Sequence, residues 1–98
     1  MTTSPRRRAP KAPSFGALMA QVRIETGESL EVFAQRLGVA RQNLWEIEQD
    51  RRTVSYQRAA EWADALGFEP KDFVRAVVQQ AISAAELPYT VQLATPSA

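Results

Sequence analysis

The sequence predicts an all-α domain, and three observations carry that expectation. Apolar residues recur at helical spacing, serines stand where helices would begin, and glycines or a proline stand where they would end. Alternation with period two appears only in the C-terminal tail. The expected organisation is a disordered basic arm over residues 1–13, a five-helix domain over residues 14–86 and a tail over residues 87–98.

In the first helix Phe15, Leu18, Met19 and Val22 recur at i, i+3, i+4 and i+7, with Ser14 as N-cap and Gly27 as the stop. The second begins at Ser29, where Val32 stands in place of a capping-box acid, and closes at Gly38. The third runs from about Arg41 to Gln49, with Leu44, Ile47 and Glu48 on one face. The fourth starts after Ser55 and turns Ala59, Trp62, Ala63 and Leu66 inward before Gly67 ends it. Pro70 suits the first turn of a fifth, which continues until Pro88 forbids it. That last helix carries Phe73, Val74, Val77, Val78, Ala81 and Ile82, more apolar surface than one side facing a small core can use.

The tail differs in kind. Tyr89, Val91 and Leu93 alternate with Thr90, Gln92 and Ala94, a strand pattern in a chain that offers no other strand. A lone strand leaves its backbone groups unpaired, so an ordered tail would pair with its own copy in a second subunit; the other expectation is a disordered tail. Val74, Val78, Ile82, Tyr89, Val91 and Leu93 are the candidate dimer interface.

Composition narrows the chemistry. With no cysteine and no histidine among its 98 residues, disulfides, Cys/His zinc sites and the common nucleophile–base pairs are excluded. Glu46 and Glu48 are two residues apart on a helix and face different ways, so paired-carboxylate catalysis is not expected. No apolar run reaches the roughly 18 residues of a membrane span, and no hydrophobic stretch follows the basic N-terminus. The expectation is a cytoplasmic protein without cofactor or metal. The net charge of +1 conceals an asymmetry. Arg6, Arg7, Arg8 and Lys11 stand together without an acid, leaving 8 of the 12 basic residues against all 11 acids in the body. A flexible basic arm of this kind either clamps nucleic-acid phosphates, gaining counterion release, or is a solvated tail.

The second and third helices with the turn between them form the informative unit. Ala34 permits close helix approach, Gly38 supplies a positive φ, and Val39, Leu44 and Ile47 bury the inner side of the third helix. Its N-terminal residues are then left outward, where a major groove can receive them. The segment "GESLEVFAQRLGVARQNLWEIEQDRRTVSYQRAAEWADALGFEPKDF" resembles the phage-repressor (Xre/Cro) family of helix-turn-helix domains over roughly residues 15–74. The likeness is carried by Gly27, Ser29, Ala34, Leu37-Gly38-Val39, Arg41, Ile47-Glu48, the basic turn after them, and Ala63, Leu66 and Gly67.

The resemblance implies a five-helix repressor-like domain that binds double-stranded operator DNA, generally as a homodimer on a palindrome. It assigns base reading to Arg41, Gln42 and Glu46, with Asn43 beside them and Trp45 at the edge or on the sugar–phosphate wall. It gives backbone contacts to Ser29, Gln49, Arg51, Arg52 and Tyr56, and implies an ion pair between Arg23 and Glu48 that joins the first and third helices. Three positions depart from the family pattern. Leu30 stands where a phosphate-contacting glutamine is usual, Ala40 replaces a Ser/Thr N-cap that would stabilise by about 1 kcal/mol, and Asp50 takes the place of a turn glycine. For Trp45 the sequence leaves open a sugar or thymine-methyl contact, a subunit or protein interface, and cover by the arm. The other functional class is a protein-interaction module that kept the fold while Leu30, Val32, Trp45 and Asp50 made its surface apolar and acidic.

Overall fold

The structure, a computed structural model, describes residues 6–96. It contains five helices: α1 (Phe15–Thr26), α2 (Leu30–Leu37), α3 (Arg41–Glu48), α4 (Tyr56–Leu66) and α5 (Pro70–Ala84). Their ends follow local chemistry. Ser14, Ser29 and Ser55 each accept a backbone N–H of the first turn they precede. Gly38 closes α2 at φ 73°, and the Val39 amide returns to the Ala34 carbonyl at 3.0 Å, which sets the tight turn into α3. α5 ends at Ala84, two residues before the expected boundary, because Glu86 adopts a left-handed φ of 58° and the Leu87 amide folds back to the Ile82 carbonyl.

α4 packs along α5, while α1 lies against both α3 and α5 and α2 rests on α3. The core between them is built from Phe15, Leu18, Met19, Val22, Phe33, Leu44, Trp62, Phe68 and Phe73, all buried. Phe73 stacks on Phe68 with ring centroids 5.5 Å apart and meets Phe15 edge-on at 6.0 Å, joining the starts of α1 and α5 through aromatic contact.

The seam between α1 and α3 is tighter than the rest. A Cβ at Gly16 would collide with the Asp50 carboxylate and the Ile47 carbonyl, so the backbones approach there as only glycine allows. Asp50, at φ 60°, accepts from the Gly16 amide at 3.1 Å and from the Ser14 hydroxyl at 2.8 Å. The residue that replaces the turn glycine thus ties the end of α3 to the start of α1. Further along, Arg23 donates to both carboxylate oxygens of Glu48, at 2.8 and 3.1 Å, and to the Glu28 carbonyl at 3.3 Å. The Glu48 side chain is only 4% exposed. The pairing raises the Arg23 guanidinium above its ordinary value, burial opposing it.

Over its described part the arm makes contacts that its composition does not announce. Residues 6–13 are seated on the α4–α5 corner; residues 1–5 lie outside the described residues, as do 97–98 of the tail. Arg7 forms an isolated parallel bridge to Phe68, its amide donating to the Gly67 carbonyl and its carbonyl accepting from Glu69, both at 2.9 Å. The guanidinium of Arg7 covers the Phe68 ring at 4.8 Å. Arg8 forks onto buried Asp72 at 2.7 and 2.8 Å, the Ala9 amide adds a third bond to the same carboxylate at 3.0 Å, and Ala9 and Ala12 pack on the core. Charge and proline content describe the arm's own preferences; a buried carboxylate more than sixty residues away in the chain outweighs them.

The tail also differs from the strand pattern. Residues 87–96 form no strand, and the Gln79 side chain stands where a neighbouring strand would, donating to the Tyr89 carbonyl at 3.0 Å and accepting from the Val91 amide at 2.7 Å. A single amide side chain satisfies both backbone groups within one subunit.

Two stability predictions follow from these contacts. Glu48→Ala strands a largely buried guanidinium and lowers unfolding stability by about 3 kcal/mol; an unchanged urea midpoint would remove the pair from the list of forces that seat α3. The hydrogen bonds from Arg8 lower the Asp72 carboxyl below its ordinary range against the opposing effect of burial, with the Ala9 amide and the charges of Arg8 and Arg75 adding to the lowering. Because the native value is the depressed one, the clasp contributes fully above the unfolded aspartate value of about 3.9 and is lost as pH falls through the native value. The stability difference between wild type and Asp72→Asn is therefore constant from neutral pH down to about pH 4 and closes below it, read as urea midpoints across pH.

Candidate nucleic-acid interface

Helical geometry sorts α3 into two sides. At about 100° per residue, Leu44 and Ile47 point inward and are buried, and Arg41, Trp45, Gln49, Gln42 and Glu46 fall within an arc of roughly 140° on the far side. Arg41, Gln42, Trp45 and Gln49 are exposed and Glu46 is half-buried. Asn43 lies off this arc, beside Ile47. It is half-buried and lines a cleft of about 430 Å³ between α3 and α4, together with Arg52, Thr53, Gln57 and Arg58. Glu48 turns to Arg23 and does not share the outward side.

The outward side chains are partly engaged with one another. Arg52 donates from Nε to the Glu46 carboxylate at 3.0 Å, its Nη2 lies at the same distance, and Gln42 reaches the other Glu46 oxygen at 3.4 Å. The Arg51 guanidinium lies over the Trp45 ring, 5.2 Å from its centroid. Glu46 thus neutralises one of the two turn arginines, while Arg41 makes no ion pair among the described residues. Ala40 supplies no side-chain cap, leaving the first-turn amides of α3 without a side-chain acceptor.

The residues assigned to the phosphate backbone come from neighbouring termini. Ser29 is exposed at the start of α2, where its hydroxyl accepts from the Val32 amide at 3.2 Å. Gln49 is the C-cap of α3, Arg51 and Arg52 are exposed in the turn, and Tyr56, 56% exposed, is the first residue of α4. The basic arm is seated away from this turn. Arg6 pairs with Asp64 at 2.5 Å, Arg7 with Glu25 at 3.7 Å and Arg8 with Asp72, while Lys11 is exposed. Its anchor at Gly67 stands about 16 Å along the 11-residue α4 from the α3–α4 turn.

Sequence reasoning missed three residues that position the site. Gly16 and Asp50 lock α3 to α1, and Gln80 of α5 accepts from the Phe15 amide at 3.0 Å, capping α1 from outside the helix. Asp50 alone carried a signal, since aspartate tolerates the left-handed region it occupies.

Among the described residues no helix is long and apolar enough to cross a membrane. Comparison with the curated proteins and with the solved structures returned no match. A family model described as a helix-turn-helix domain matches residues 14–76, well over half of the chain and in agreement with the phage-repressor (Xre/Cro) likeness. With α2, the turn at Gly38 and α3 arranged as that unit requires, the chain belongs to the helix-turn-helix domain family.

Proposed function

We propose that the chain is a sequence-specific DNA-binding regulator of transcription, a repressor or autoregulator rather than an enzyme, acting in the cytoplasm of a bacterium or from a phage genome. The observation that carries this reading is α3 itself, a helix fixed on its inner side by Leu44, Ile47 and the Arg23–Glu48 pair, with Arg41 and Gln42 exposed at its N-terminal end. Arg41 suits guanine O6/N7 and Gln42 suits adenine N6/N7, the two bidentate pairings of the major groove. Asn43 reads from the edge of the site, and Glu46 accepts from cytosine N4 once Arg52 has turned to a phosphate. Ser29, Gln49, Arg51, Arg52 and Tyr56 take the sugar–phosphate wall.

A clamp by Arg6, Arg7, Arg8 and Lys11 requires the arm to unseat. The pairs of Arg6 and Arg7 with exposed acids contribute only about 0–1 kcal/mol each, so phosphates can displace those pairs, and the bridge from Arg7 to Gly67 and Glu69 must open with them. Arg8, forked onto a buried carboxylate, is the last of these side chains to be released.

A homodimer on a palindrome is the reading that α5 and the tail support. Val74, Val78, Ile82, Val91 and Leu93 are only half-buried in one chain and Tyr89 is exposed, an apolar strip to be covered by a second copy. The self-pairing of Glu46 with Arg52 favours the second reading, a protein-docking module. Salt separates the two, because phosphate contacts make DNA affinity fall steeply as salt rises.

In vitro selection of bound duplexes by the full chain tests the function. Two inverted half-sites, centred about 34 Å apart or a multiple of it, are expected. Arg41→Ala loses preference at one base pair per half-site, about 1–3 kcal/mol; enrichment of no sequence at all would refute groove reading. Val78→Asp converts the dimer to monomer in sedimentation and reduces palindrome binding to that of a single half-site. A variant that still sediments as a dimer would place the interface elsewhere.

A further inference from the structure

The turn after α3 carries two adjacent arginines whose anchors differ in kind. Arg52 is held by Glu46, an arrangement that spends its Nε and draws its Nη2 onto the same carboxylate. Arg51 is held over the Trp45 ring at 5.2 Å, and among the described residues no carboxylate lies within ion-pair distance of it. An indole face attracts a guanidinium through its quadrupole and takes none of its N–H donors. Among the described residues the Arg51 side chain donates no hydrogen bond, so it is located while its five donors remain unspent.

The backbone builds this geometry. The Arg51 amide donates to the Glu46 carbonyl at 2.8 Å and Asp50 adopts a φ of 60°, which turns the chain sharply at the end of α3. Trp45 lies on the outward arc of α3 between Arg41 and Gln49 and is 36% exposed.

We infer that Trp45 is a positioning residue for DNA binding: its ring seats the Arg51 guanidinium at the edge of α3, donors free, for a bidentate contact to one phosphate. Trp45 itself reads no base. The inference rests on the DNA-binding reading of α3. Without the ring, Arg51 samples many rotamers and must be ordered at the moment of binding, which weakens affinity without removing the contact.

A double-mutant cycle tests this, with a labelled duplex of mixed sequence titrated at several salt concentrations. Trp45→Ala weakens binding about two- to fivefold at unchanged salt slope, the range expected for an exposed cation–π contact. Arg51→Ala lowers the slope by about one. In the Arg51→Ala background Trp45→Ala has no further effect, and Trp45→Phe recovers part of the loss. A Trp45→Ala loss that persists in full without Arg51 overturns the inference in favour of direct contact between the ring and DNA. A change of oligomeric state in Trp45→Ala overturns it in favour of a subunit interface, and unaltered affinity overturns it outright. NMR supplies a readout without DNA: the Arg51 side-chain protons show an upfield ring-current shift that Trp45→Ala abolishes. No salt-dependent binding by a folded wild type that keeps this shift refutes the DNA reading; absence of the shift refutes the pair itself.

Discussion

A helix of eight residues without a side-chain cap does not persist by itself in water, so α3 exists where it does because of the seam it forms with α1. Three contacts make that seam. The backbones touch at Gly16, Asp50 accepts hydrogen bonds from the start of α1, and the Arg23–Glu48 pair closes the far part. The first cannot tolerate a side chain, the second requires a left-handed residue with a carboxylate, and the third requires a buried acid to keep its cation. Together they fix the rotation of α3 about its own axis. That rotation decides which residues face outward, since turning the helix by one residue, about 100°, would bring buried Leu44 onto the outer side and carry Gln42 off it.

Local chemistry was readable in the sequence because its causes are local. Ser14, Ser29 and Ser55 begin helices, Gly27, Gly38 and Gly67 end them, and the 3.6-residue spacing of Phe15, Leu18, Met19 and Val22 marks a buried side. The inward placing of Trp62 and the outward placing of Trp45 follow from the same periodicity. Contacts between distant segments were not readable in this way. Nothing around Asp72 announces that it receives Arg8, since an acid in the first turn of a helix is already explained by the helix itself. An arm rich in arginine and proline has the composition of a disordered segment, and the Phe68 ring, the backbone of Gly67 and Glu69 and the Asp72 carboxylate, brought together by α4 and α5, give it a seat. Within one subunit the tail is not a strand, for a related reason. Period two in Tyr89, Val91 and Leu93 describes side chains, whereas two of the backbone groups, the Tyr89 carbonyl and the Val91 amide, found their partner in Gln79.

The candidate site combines two kinds of electrostatics. On the outer side of α3 the charges are exposed and partly compensated, with Glu46 drawing Arg52 and Gln42 toward itself, and their net effect is sensitive to salt. Beneath it, the Arg23–Glu48 pair is shielded and insensitive to salt by comparison, so the support keeps its geometry while the surface exchanges partners. A helix-turn-helix unit that binds DNA needs that division, because displacement of Arg52 from Glu46 by a phosphate must not disturb the axis of α3.

Guanine N7-methylation interference on a selected duplex tests the placement of α3 in the major groove most directly. Methylation of one guanine in each half-site should abolish binding by the wild type, and Arg41→Ala should bind methylated and unmethylated duplexes alike. Interference confined to minor-groove adenine methylation, or an Arg41→Ala variant that stays fully sensitive to the guanine mark, would contradict it.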